Sequence, residues 1–289
     1  MTLIRTKKSA RASFAFCVIK TALCCFAFFA ATAFFFAVCR DLAHQYITIL
    51  LPSVKVITLF IRLGVSVMLL TVTAGIMAVL VRPFWAALAT YVLAGLLYPW
   101  LFEPSFGTWI VAGIFAISSF IFFFFIARSL QNQIHFSSHP IGNMKALLCA
   151  TLAGLVSFSF ALGYGADAGR RGFVFPPELK SAVTENIFSK IKAQIEIEAA
   201  PTAQKQAAMK AAHQKVQETV DGFEKQLKSY QHELPVFFAF LLFFVFQLVF
   251  LLVEWVAQII FPIVFFILRV THFAHLAVES QEVTRLTLK

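Results

Sequence analysis

Charge is scarce in this sequence. Only 13% of its 289 residues are Asp, Glu, Lys or Arg, against roughly 25% in soluble globular domains. Together with 60% hydrophobic residues, that shortage excludes an ordinary soluble domain. Cysteine is missing where a disulfide framework would need it. Cys17, Cys24, Cys25, Cys39 and Cys149 all lie in or beside apolar runs, and the polar segment 165–233 has none. Their spacing fits no zinc pattern, so buried structural thiols are expected.

Catalytic signatures are also missing. There is no Walker loop, no G-x-S-x-G and no H-E-x-x-H, the spacings that place a phosphate cradle, a nucleophile or a zinc pair. Gly163, Gly165 and Gly169 stand at the exit of an apolar run rather than between a strand and a helix. Two histidine pairs, His135 with His139 and His272 with His275, could meet at one surface. Pro140 and the Ser-rich surroundings argue against a helical metal site at the first pair, and no Cys or paired carboxylate accompanies it. No metal, no cofactor and no enzymatic activity are expected.

What the sequence does hold is grease in long runs. Leu234 to Leu268 carries one formal charge, Glu254. As a helix at about 1.5 Å per residue it would exceed a hydrocarbon core of roughly 30 Å. Further runs suggest six spans, at about 15–38, 56–81, 84–102, 107–127, 146–164 and 235–268. Arg82-Pro83 and Glu103-Pro104 punctuate the third. The 36 Phe, clustered at 34–36, 122–125 and 243–244, supply lipid-facing bulk. The expected fold is an all-α polytopic integral membrane bundle with an extramembrane helical hairpin or coiled-coil arm. Its parts are a bundle at 1–164, an arm at 165–233, and a long last span with its tail at 234–289.

The net charge of +10 points to anionic lipid at span ends rather than to nucleic acid, because no basic patch interleaved with aromatics occurs in a soluble domain. Arg5, Lys7, Lys8 and Arg11 precede an apolar stretch too long for a cleaved signal, which reads as a signal anchor. With the N-terminus inside, Arg82, Arg128, Lys145, Arg269, Arg285 and Lys289 also fall inside, and the short external loops hold only Arg40 and Lys55. Both termini are therefore expected in the cytoplasm, across a bacterial inner membrane. Residues 42–52 suggest an interfacial helix, 128–145 a polar loop, and 165–177 a Gly/Pro linker.

The arm is rich in Lys, Glu, Gln and Ala, good helix formers. Pro201 splits it. The first helix, about 178–199, carries Leu179, Val183, Ile187, Ile191 and Ile195 at four-residue steps. The second, about 203–233, carries Met209, His213, Val216, Val220, Phe223, Leu227 and Tyr230 at alternating steps of four and three. That is a helix-pairing or coiled-coil seam. This helix is expected to run on into the last span despite Pro235.

Intramembrane polar groups are few and default to functional candidates. Lys55, Thr58, Arg62, Ser66 and Thr73 share one face of the second span. Gln247, Glu254 and Gln258 share one face of the last. Counted from the outer ends, Arg62 and Glu254 lie at different depths, so no direct bridge is expected. The leading expectation is a non-enzymatic multi-pass component of an envelope complex for secretion, conjugation or envelope biogenesis. Its arm would dock membrane or periplasmic proteins, or a second copy. The alternative is a small-solute or ion transporter with a polar path along the second span.

Overall fold

The protein is described here by a computed structural model over residues 2–45, 54–81, 83–131, 139–171, 177–197, 202–230, 233–271 and 273. These residues form eight α-helices in chain order and no strand. They are α1 (Thr2–His44), α2 (Val54–Leu80), α3 (Phe84–Leu101), α4 (Phe106–Gln131), α5 (His139–Arg171), α6 (Pro177–Ile197), α7 (Thr202–Lys228) and α8 (Leu234–Val270). Six are long and apolar enough to cross a membrane: Cys17–His44, Lys55–Leu80, Phe84–Leu101, Phe106–Ser129, Ala146–Ala166 and Leu234–Val270. The fold is an all-α membrane helical bundle.

Phe and small residues share the core. Phe28, Phe35 and Phe36 of α1, Tyr91 and Tyr98 of α3, and Phe115 and Phe122 of α4 are fully buried together. Edge-to-face contacts link Phe28 to Tyr91 at 5.0 Å and Phe36 to both Tyr98 and Phe115 at 5.1 Å between ring centroids. Such pairs add about 0.5–1.5 kcal/mol beyond area, a useful term where lipid removes the drive to bury apolar surface. Two glycines let backbones touch. A Cβ on Gly95 would stand 2.9 Å from the Ala112 carbonyl oxygen of α4, and one on Gly163 would overlap the carbonyl of Ala43 in α1.

The bundle has two ends. At one, Ala43 meets Gly163, and Gly165 lies against Pro235; α6 and α7 are inserted at this arm end. At the other, Lys20 Nζ of α1 donates to the Phe273 carbonyl at 2.6 Å and lies 5.1 Å from its ring centre. This tail end joins the beginning of the first span to the end of the last. Between these points α1 covers about 35 Å and α8 about 50 Å at the helical rise. So α8 crosses the bundle obliquely, as an overlong apolar helix does to reduce mismatch. It packs mainly on α5 and secondarily on α2. Pro262 does not split it; α8 is one helix of 37 residues.

Four local expectations need correction. The second arm helix does not continue into the last span. It ends at Lys228, residues 229, 230 and 233 are turn, and α8 begins at Leu234 with Pro235 in its first positions. Proline lacks the N–H and crowds the preceding turn, so it starts a helix more readily than it continues one. The polar loop at 128–145 is shorter than expected, because α4 reaches Gln131 and α5 begins at His139 with Pro140 in its first turn. Residues 165–171 belong to α5 despite Gly165 and Gly169. Leu42 to His44 finish α1, and the rest of the expected interfacial helix lies outside the described residues.

Candidate functional sites

The polar residues of the second span divide on the structure. Ser66 is buried and donates its hydroxyl to the Leu63 carbonyl at 2.8 Å. Thr73 donates to the Leu69 carbonyl at 2.8 Å. Both hydroxyls thus bond their own helix, the usual way such groups are carried in apolar surroundings. Arg62 is exposed among Ile61, Val65 and Leu69. The face turned to α8 is set by Phe60, 5.8 Å from Phe246 between ring centroids, and by Gly64, whose added Cβ would meet Val253 at 3.8 Å. Arg62 stands two residues from each, about 200° around the helix. It points away from α8.

The same contacts correct the depth estimate. Phe60 is level with Phe246, and Gly64 with Val253, so Glu254 and Arg62 lie at similar depth. Direction, not depth, keeps them apart. Glu254 keeps only 7% of its surface exposed and lies on the stripe of Phe250, Ala257 and Phe261. Gln258, one turn on, is exposed. Gln247 is half-buried, and its Oε1 is enclosed without a hydrogen-bond partner. The Gln247–Glu254–Gln258 stripe therefore straddles the edge of the α8 interface. A buried carboxyl at this depth is costly and is the strongest intramembrane candidate.

A third polar cluster was not foreseen from the sequence. Tyr98 and Ser159 meet at 2.8 Å between α3 and α5, both buried. Ser159 donates its one proton to the Leu155 carbonyl, so Tyr98 donates to Ser159. The Cys39 thiol borders the same serine. The only sequence signal is a serine inside a Phe-rich run of α5, which periodicity alone cannot match to a tyrosine 61 residues away.

Outside the bundle, α6 and α7 form an antiparallel hairpin. Lys180 pairs with Asp221 and with Glu224, the latter at 3.0 Å. Hydrogen bonds to Asp221 and then to Glu224 hold the ammonium above its ordinary range. Nearer the far end, Phe188 and His213 meet edge to face at 4.9 Å. Between them Thr184, Val216 and Val220 are buried. The seam of α7 is thus unevenly used. Val216 and Val220 face α6, Met209 is half-buried, and His213, Phe223 and Tyr230 are exposed; the side chain of Leu227 lies outside the description. Phe188, Met209, Lys210, His213, Gln214 and Gln217 line an open groove of about 440 Å³.

Among the described residues no group of three His, Cys, Asp or Glu side chains could hold a metal. The His135, His139, His272 and His275 side chains lie outside the description. Comparison with protein-family models, curated proteins and solved structures finds no match.

Proposed function

We propose that the chain is a non-enzymatic multi-pass subunit of an envelope complex, of the kind that serves secretion, conjugation or envelope biogenesis. It holds its place by the six-helix bundle and docks a membrane or periplasmic partner through the α6–α7 hairpin. The observation that carries this reading is the open groove at Phe188, Met209 and His213, on a hairpin whose other half is closed by Val216, Val220 and the Lys180 ion pairs. A groove with an apolar floor and an amide rim matches a partner helix or an extended segment. Lys and Arg counts at the short loops support termini in the cytoplasm and the hairpin on the periplasmic side. Replacing Pro177–Lys228 by a short flexible linker should abolish co-purification of the partner and leave the bundle inserted. Retention of the same partner by the shortened chain would defeat the proposal.

One observation favours a second reading. Glu254 is a buried carboxyl on α8 at the level of Gly64 on α2, which suits a proton or cation step in a transporter. Under that reading Glu254→Gln abolishes flux in proteoliposomes without changing expression. Unchanged flux removes it.

A further inference from the structure

The hairpin has two unlike sides. Thr184 and Phe188 on α6, and Val216 and Val220 on α7, fix where the two helices face each other. At about 100° per residue, Val183 and Ile187 point roughly a quarter-turn to one side of that contact. Phe223 on antiparallel α7 points to the same side. The reversed chain direction cancels the reversed sense of rotation. Val183, Ile187 and Phe223 are 40%, 41% and 56% exposed respectively, and they form one stripe along the hairpin. The opposite side carries Glu185, Lys210 and Gln217, and with them the groove.

Charge and position select what meets the stripe. Its edges are Lys190 on α6 and Lys215 on α7, both exposed. The same geometry places Glu185 and Glu218 off that side, and Asp221 and Glu224 are ion-paired with Lys180. An apolar stripe between cations fits an anionic lipid surface, where the apolar groups enter the headgroup boundary and lysines reach phosphates. A second copy in the same membrane would meet face to face about an axis normal to the bilayer. Lys190 of one copy would then oppose Lys215 of the other, so like charges would flank the contact. Beyond the end of α7, exposed Tyr230 stands in the turn four residues before Leu234, where the apolar α8 begins. Tyrosine is the residue enriched at headgroup level. Because α7 ends at Lys228 and α8 starts at Leu234, the two are not one rigid upright rod.

We infer that the Val183–Ile187–Phe223 side of the hairpin rests on the anionic lipid surface, which turns the Phe188–Met209–His213 groove away from the bilayer. The inference rests on the docking reading only for what fills that groove; the lipid contact is a separate claim.

A fluorescent amino acid at Ile187 or at Val183, with Glu185 as control, tests this in the full chain. The protein is reconstituted in vesicles containing phosphatidylglycerol with spin-labelled acyl chains. The probe at 187 and at 183 should be quenched by the labelled lipid at least twofold more than at 185, with the reverse order for aqueous iodide. Lys190→Glu with Lys215→Glu should reduce the lipid quenching in these vesicles but not in neutral ones. Equal quenching at 187, 183 and 185 overturns the inference. So does shielding of 187 from iodide without lipid quenching, since a protein surface, from a second copy or another partner, would then cover it. Lipid quenching at 187 in the full chain, together with retention of the partner by the chain shortened over Pro177–Lys228, would sink the docking proposal and leave this one standing.

Discussion

At the residue scale, the bundle depends on where atoms are absent. Gly163 has no room for a side chain against Ala43, whereas a Cβ on Gly113 would meet nothing within 4 Å. Gly163→Leu should therefore cost about 3 kcal/mol or more through forced helix separation, and Gly113→Ala should leave stability unchanged or slightly raised. Unfolding of the reconstituted protein measures both. The Tyr98–Ser159 pair predicts an asymmetry. Tyr98→Phe removes a donor and leaves Ser159 bonded to Leu155, for about 1 kcal/mol. Ser159→Ala strands a buried phenol hydroxyl, nearer to 2–3 kcal/mol. The double substitution should cost less than the sum; a strictly additive pair would mean the two hydroxyls do not interact.

Residue type and spacing could not foresee these pairs. Ser66 and Arg62 are four apart on one predicted face, yet one is buried and the other exposed. Ser66 turns into the bundle and Arg62 out of it, so a rotation of some tens of degrees decides each fate. Periodicity gives a face to within that error and no better. Lys20 bonding Phe273 was equally out of reach, because long-range pairs leave no local pattern.

At the element scale much more was legible. The third span is bounded by Arg82-Pro83 and Glu103-Pro104, and α3 runs from Phe84 to Leu101, because proline and charge stop an apolar helix on both physical and insertion grounds. Pro201 likewise separates α6 from α7. The misjudged element was the joint at Pro235, where apolar continuity outweighed the cost of proline inside a helix. In the hairpin, Lys180 titrates with the ion pairs. Its folded value is raised, so its contribution is fully present below the unfolded lysine range of about 10.4 and lost as pH rises through the raised value. The spacing between spin labels at Ser189 and Lys215 should hold from pH 7 to 9 and widen only well above that. Lys180→Met should widen it already at pH 7, and an unmoved distance would show that the ion pairs do not hold the hairpin.

At the scale of the whole molecule, an even number of spans and the Lys20–Phe273 contact place the first and last spans' free ends together. The hairpin belongs to the other end, where Gly165 meets Pro235. Sequence composition was enough for the membrane assignment, since 37 residues of α8 bury few side chains and would be insoluble outside lipid. It was not enough for activity, because the polar groups inside the spans are few and match no catalytic or binding pattern.

The most direct test is sidedness. Single reporter cysteines at Gln214 and near the C-terminus, each in an otherwise cysteine-free full chain, are exposed to a membrane-impermeant maleimide in intact cells and again after permeabilisation. The six-span bundle predicts that position 214 reacts from outside in intact cells, while the C-terminal site reacts only after permeabilisation. Labelling of both sites from the same side would contradict it.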